Sequence, residues 1–315
     1  MTALPTFDQI QDAAARIAPH ARVTPVLRSD VLDALTGARL HFKCENLQRG
    51  GAFKFRGACN AVWALDEAAA ARGVVTHSSG NHGNALALAA ATRGIRAHVV
   101  VPEGAVRAKL EAIERAGAVL HRCAPTQAAR EATTAQLVQD TGAVLVHPYA
   151  DTQVMAGQGT IALELLAQVP DLDAIVTPVG GGGLASGVAI AAHALRPGLS
   201  LHAAEPAGAD DAARSLARGE RVTDVVPDTV CDGLRALVGK PNLAALGRYR
   251  VDVLTVTDEE TIAAMRLLWQ ELKQVVEVSS ATAFAAILKT RERFAGRRVG
   301  VVLTGGNVDI DALPW

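Results

Sequence analysis

Short apolar runs alternate with longer Ala- and Leu-rich stretches along most of this chain. The runs at 39–43, 74–77, 97–101, 118–122 and 144–146 are of strand length, as are 174–179, 201–204, 253–256 and 299–303. Between them, 55–67, 84–93, 107–116 and 127–141 carry helical spacing, and another helical pattern opens at Leu184. Alternation this dense predicts an α/β fold: parallel sheets covered by helices on both faces. No repeat, low-complexity tract or Pro/Ser/Gly-rich linker interrupts the pattern. Two domains are therefore expected to share the chain by insertion. The larger takes 1–48 plus 147–315, and the smaller takes 49–146.

The chain has 315 residues, 50% of them hydrophobic, which is enough for a large core and two domains. Its 31 Lys+Arg against 32 Asp+Glu give a net charge of -1. That balance argues against a nucleic-acid or acidic-membrane partner. No long charge-free apolar run predicts a membrane span. The start, Met1 to Asp8, lacks the basic and apolar stretches of a signal peptide. Cys44, Cys59, Cys123 and Cys231 are scattered, so neither a disulfide framework nor a zinc site is expected. Reduced thiols in a cytoplasmic enzyme are the expectation.

Four segments carry candidate chemistry. The first is Gly180-Gly181-Gly182-Gly183, between an apolar strand and a helical start. Backbone N–H groups without Cβ atoms around them, together with a helix N-terminus, make a phosphate cradle. No lysine follows, since Leu184-Ala185-Ser186 stands where a nucleotide-binding P-loop has Gly-Lys-Ser/Thr. The cradle therefore suits a single phosphate monoester, such as a cofactor's. A plain tight turn needs fewer glycines. The second segment centres on Lys54, behind Gly50-Gly51 and between Phe53 and Phe55. An apolar setting at a helix start disfavours the ammonium, which suits a nucleophilic amine. A snorkelling surface lysine is the other reading.

The third segment, Ser78-Ser79-Gly80-Asn81-His82-Gly83, closes a strand and opens a helix. Its hydroxyls and N–H groups suit a carboxylate, and Asn81 can bond a phenolic or carbonyl oxygen. His82 reads equally as a base or as a structural hydrogen-bonder. The fourth, Leu303-Thr304-Gly305-Gly306-Asn307, ends an apolar strand on a hydroxyl and two glycines. It reads as a ligand loop or as a plain strand-ending turn. Three of these loops follow strands, where open parallel sheets place ligands. Together the four supply an amine, a phosphate cradle, an anion loop and a neutral hydroxyl. Those are the protein parts that pyridoxal 5'-phosphate needs.

At this point the chain resembles the fold-type II pyridoxal-phosphate enzymes, in the serine/threonine dehydratase and serine racemase branch. The resemblance runs from about Pro25 to Asp309 and includes Val154 to Glu164 and Ala204-Glu205-Pro206. It implies a tryptophan synthase β-like fold, a homodimer, and a smaller domain closing over an amino-acid substrate. By position, Lys54 would hold the cofactor covalently and Phe53 would pack beside its ring. Asn81 would bind its 3′-oxygen, Gly180 to Gly183 its phosphate, and Thr304 would face its ring nitrogen. Ser78, Ser79, Asn81 and His82 would hold the substrate carboxylate.

The implied reaction is a dehydration. Lys54 takes the Cα proton of a β-hydroxy-α-amino acid of serine or threonine type. The β-hydroxyl leaves, and a 2-keto acid and ammonia result. Ser79 matches the serine that reprotonates Cα in racemase relatives, so serine racemisation is an alternative. The resemblance further implies Mg²⁺ or Ca²⁺ on Glu205, the Ala209 carbonyl and Asp211, oxygen ligands that suit a hard cation. A helix cap by Asp210 or Asp211 is the other reading of that acidic pair.

The chain departs from the family pattern near the pocket. Ala52 stands for the usual serine before Phe-Lys, Thr304 for a serine, and Glu277-Val278-Ser279-Ser280-Ala281 for a Glu-Pro-x-x-Gly turn. These departures bear on the substrate more than on the chemistry. Arg235 could bind a distal carboxylate, which admits 3-hydroxyaspartate, or it could form a surface salt bridge. Gly305-Gly306-Asn307 disfavours β-replacement. Lys54 and the intact anion loop argue against a non-catalytic carrier of the cofactor or of a metabolite.

Overall fold

The computed structural model describes residues 3–105 and 107–315. Its ten strands, among the described residues, are β1 (Val26–Leu27), β2 (Arg39–Cys44), β3 (Val74–His77), β4 (Ala97–Pro102), β5 (Val119–Cys123), β6 (Val144–Leu145), β7 (Ala174–Pro178), β8 (Ser200–Pro206), β9 (Asp252–Val256) and β10 (Arg298–Leu303). They form a six-stranded sheet ordered β1-β2-β10-β7-β8-β9 and a four-stranded sheet ordered β5-β4-β3-β6. Every pairing but one is parallel. The exception is β1, an antiparallel edge strand too short to show as an apolar run.

The central strands are buried on both faces. In β10, Val299, Val301 and Leu303 enter one core and Val302 the opposite one, following the two-residue period of a strand. In β7, Ala174 and Val176 face the first of these cores and Ile175 the second. Helices Phe7–Ile17, Thr152–Gln168 and Gly183–Leu195 cover one face of the larger sheet, with Ile10, Ile161 and Val188 in its core. Helices Asp258–Glu271 and Val278–Lys289 cover the other. There Phe284 meets Phe42 edge to face, with ring centroids 5.6 Å apart.

Two helix boundaries differ from the sequence expectation. The helix expected over 55–67 runs from Lys54 to Trp63, and a second one covers Glu67–Ala71. The break comes at Asp66, whose side chain accepts from the Ala69 N–H at 2.7 Å and starts the second helix. The helix expected from 84 begins at Asn81, with Gly80 as its N-cap. Asn81 and His82 therefore lie in its first turn, above the end of β3.

Helix Lys54–Trp63 approaches helix Thr152–Gln168 very closely. A Cβ on Gly157 would lie 2.5 Å from the Arg56 carbonyl oxygen, so only glycine fits there. Beside this crossing, Arg56 is fully buried. Its Nε and Nη2 donate to Glu45 at 2.7 and 2.8 Å, and its Nη1 and Nη2 donate to Glu164 at 2.7 and 2.8 Å. Buried Lys43 donates to Glu164 at 2.6 Å, to Gln168 at 3.0 Å and to the Thr24 carbonyl at 2.8 Å. Two cations and two carboxylates thus tie the helix of Lys54 to β2 and to helix Thr152–Gln168. Removing one partner of such a pair strands the other in a low-dielectric interior. Arg56→Met should lower unfolding stability by about 3–5 kcal/mol in urea titrations. A loss under about 1 kcal/mol, as for an exposed pair, would show that the network does not anchor the helix.

Candidate active site

Lys54 is the first residue of its helix, immediately after Phe53. The Phe53 N–H donates to the Thr304 carbonyl at 2.9 Å, and Ala52 bridges to Gly305, so the fourth sequence segment holds the second in place. The Lys54 Nζ donates to the Pro148 carbonyl at 3.1 Å and lies 5.1 Å from the Phe53 ring centroid. Burial pushes its pKa down to about 8, against a weaker opposing pull from Glu277. Near physiological pH a larger share of this amine is unprotonated than in an exposed lysine.

Lys54 opens into a cavity of about 800 Å³. The loops after β3, β7 and β10 line it, each at a strand's C-terminal end. The structure thus brings all four sequence segments to one cavity.

The glycine turn follows β7 and leads into helix Gly183–Leu195. A Cβ at Gly180 would lie 2.9 Å from the Leu234 backbone, and one at Gly181 2.3 Å from the Tyr149 ring. Gly182 takes φ +90°, a left-handed conformation that disfavours other residues. Among the described residues, the N–H groups of Gly180, Gly181 and Gly182 find no backbone acceptor. Free N–H groups at a helix N-terminus, in a turn where side chains cannot fit, suit a phosphate. The residues present therefore fit the phosphate of pyridoxal phosphate. Thr304, buried and lining the same cavity, offers a neutral hydroxyl.

Ser78, Ser79 and Gly80 line the cavity at the start of the next helix. Asn81 donates through Nδ2 to both oxygens of Glu277, at 2.9 and 3.0 Å. Its Oδ1 accepts from Asn307 Nδ2 at 2.9 Å. Burial pushes Glu277 up to about 7, while its bond from Asn81 works the other way. His82 is buried, with Nε2 3.3 Å from the Val146 carbonyl and its pKa well below the usual value because of burial. That contact is the structural bond that the sequence left open as one of two roles.

Around the rim, two arginines differ. Arg235 has Nε and Nη2 on the Thr229 carbonyl at 2.9 and 2.6 Å, in place of the surface salt bridge considered from sequence. Arg130, which sequence reasoning did not single out, also lines the cavity, and its buried Nε has no hydrogen-bond partner among the described residues. Nothing in the pattern of helix Gln127–Thr141 marks that position; only the fold turns it inward.

Glu205, in β8, and Asp211, which opens helix Asp211–Arg218, are both buried. Glu205 accepts from the N–H groups of Ala212 and Ala213 at 3.2 and 2.8 Å, and Asp211 accepts from Val238 at 2.7 Å. Asp210 precedes helix Asp211–Arg218 without a side-chain cap bond. Among the described residues, no group of three or more His, Cys, Asp or Glu side chains could hold a metal. Ala209, the third expected ligand, lies in the short turn between Glu205 and Asp211. Among the described residues, no helix is long and apolar enough to cross a membrane.

Comparison with known proteins identifies the family. The family model for pyridoxal-phosphate dependent enzymes matches residues 17–305. The chain is 49% identical over 312 residues to a beta-hydroxyaspartate dehydratase of Paracoccus denitrificans, covering 99% of each. The solved structure of maize serine racemase superposes with a TM-score of 0.95 at 43% identity, covering 98% of this chain and 95% of that one. The T.th. threonine deaminase does so with a TM-score of 0.92 at 40% identity, covering 97% and 99%. The chain belongs to this family and is a pyridoxal-phosphate-dependent enzyme of fold-type II.

The Lys54 pKa sets a pH dependence with a defined sign. Only the free amine captures an aldehyde. Its fraction should therefore rise about tenfold per pH unit up to about 8 and level off above. The rate at which cofactor-free protein captures pyridoxal phosphate, followed by absorbance, should trace that curve. A midpoint near the unperturbed 10.5 would contradict the buried setting.

Proposed function

We propose that the protein is an ammonia-lyase (a dehydratase) acting on a β-hydroxy-α-amino acid with a second carboxylate, 3-hydroxyaspartate, and releasing a 2-keto acid and ammonia. The observation that carries the reading is Arg130. Arg130 lines the cavity, and among the described residues no hydrogen bond or ion pair engages its guanidinium, which is unfavourable until a ligand supplies one. A distal carboxylate in the cavity is the strongest acceptor available to it. Arg235, considered for this role from sequence, is already held on the Thr229 carbonyl. The beta-hydroxyaspartate dehydratase similar to this chain supports the same substrate.

The chain's own residues divide the work. Lys54 and the glycine turn would hold pyridoxal phosphate, with Phe53 beside its ring and Thr304 at its ring nitrogen. The cofactor supplies a carbonyl that captures the substrate amine and a ring that takes up electrons from Cα. Ser78, Ser79 and the first N–H groups of helix Asn81–Arg93 bind the α-carboxylate. Asn81, held between Glu277 and Asn307, would hold the 3′-oxygen of the cofactor. Lys54, as the free amine, would take the Cα proton. Water is lost from Cα and Cβ, and hydrolysis of the resulting enamine yields the keto acid and ammonia. Ser79 lines the same cavity and supports a second reading, in which it returns a proton to Cα and the product is the other enantiomer.

We further infer that Glu205, Asp211 and the Ala209 carbonyl hold Mg²⁺ or Ca²⁺. A divalent cation would offset the burial that pushes Glu205 up to about 8.

Purified protein with pyridoxal phosphate should produce keto acid from 3-hydroxyaspartate far faster than from L-serine or L-threonine. Arg130→Gln should lower kcat/KM for 3-hydroxyaspartate about 10²-fold, from the loss of a charged hydrogen bond, and leave L-serine nearly unchanged. Equal loss on both substrates would remove Arg130 from distal recognition. Enantiomer exchange with little keto acid would favour racemisation, and silence on every substrate would favour a binding role. Saturating Mg²⁺ should stabilise wild type by about 2–3 kcal/mol at a hundredfold excess over Kd, and Glu205→Gln should abolish the shift in Tm. A Tm shift that persists in Glu205→Gln would contradict the cation assignment.

A further inference from the structure

The turn that carries Lys54's acceptor is organised by a histidine. His147 lies where the chain leaves β6 for helix Thr152–Gln168. Its Nδ1 accepts two backbone N–H groups, from Tyr149 at 3.3 Å and from Ala150 at 3.0 Å. A ring nitrogen receiving two donors carries no proton of its own. Neighbouring rings hold the imidazole in place: His77 meets it edge to face at 5.3 Å and Tyr149 at 4.6 Å. Burial, with His77 and Lys54 nearby, takes its pKa down to about 4, so the ring stays neutral at ordinary pH.

Two consequences leave this short turn in different directions. The Pro148 carbonyl accepts from Lys54 Nζ. The Tyr149 ring lies against Gly181, and the Tyr149 carbonyl accepts from Asn242 Nδ2 at 3.1 Å. Lys54 and the glycine turn come from segments far apart in the chain, and the 147–150 turn touches both.

We propose that His147 is a positioning residue: its Nδ1 pins the 147–150 turn, which sets the Lys54 amine and the wall of the glycine turn relative to each other. The inference rests on the cofactor reading of the site. Asparagine in this place can accept the same two N–H groups in an Asx turn, whereas phenylalanine keeps the ring and loses the acceptor.

The test uses cofactor-free full-length protein and pyridoxal 5'-phosphate as probe, and follows both the capture rate and the equilibrium dissociation constant by absorbance. His147→Phe should slow capture and weaken retention about tenfold, and His147→Asn should stay within about threefold of wild type. A Phe variant within threefold of wild type, or an Asn variant as impaired as Phe, would overturn the proposal. Failure of wild type itself to capture the probe would overturn the cofactor reading, a separate result. Should His147→Phe not fold, amide hydrogen exchange of the wild-type protein decides. Protection at both Tyr149 and Ala150 supports the pinned turn, and exchange at free-loop rates overturns it.

Discussion

A guanidinium taken fully out of water needs an acceptor for each of its donors, and Arg56 obtains them from Glu45, Glu164 and the Thr160 hydroxyl. The site depends on that arrangement. Arg56 sits two residues beyond Lys54, on the first turn of the same helix. Glu45 follows β2 directly, and Glu164 lies on helix Thr152–Gln168, which starts just after the 147–150 turn. Lys43 completes the charge balance and adds the Thr24 carbonyl and Gln168. Gly157 lets the two helices approach closely enough for these bonds to form. Position along the cavity wall is therefore fixed from beneath by ion pairing, while the cavity surface stays free for ligands.

On that base, burial is the main electrostatic device. Desolvation brings Lys54 down to about 8 and Glu277 up to about 7. It also keeps His82 and His147 neutral. A cavity that combines a lysine titrating near 8, neutral imidazoles, a helix N-terminus and Arg130 on its wall favours anions. The glycine turn offers backbone donors in place of lysines, so its fit to a phosphate rests on shape: any Cβ at Gly181 would collide with Tyr149. Tyr149, Gly181 and Lys54 thus form one mechanical unit.

Local features were legible in the sequence. The strand ends carrying Ser78, Gly180 and Thr304, and the start of the lysine helix, all announce themselves through glycine, hydroxyl and apolar patterns within a few residues. The parallel sheets were legible for the same reason, because doubly buried strands such as β7 read as continuous apolar runs. Relations between distant positions were not legible. Asn81 meets Glu277 across 196 residues, and Arg56 meets Glu164 across 108. Arg130 is indistinguishable from a surface arginine until its helix is placed, and Arg235 looked better placed than its bond to Thr229 makes it. The two-residue β1 and the helix start at Asn81 escaped because each is set by a neighbour, β2 in one case and Gly80 in the other.

The central claim is that Lys54 is the amine that holds the cofactor. Reducing the pyridoxal-phosphate-loaded protein with borohydride and mapping the modified peptide by mass spectrometry tests this most directly. One phosphopyridoxyl group is expected, on Lys54. A label on Lys109, which lines the same cavity beside Asp232, or a protein that takes no label at all, would contradict it.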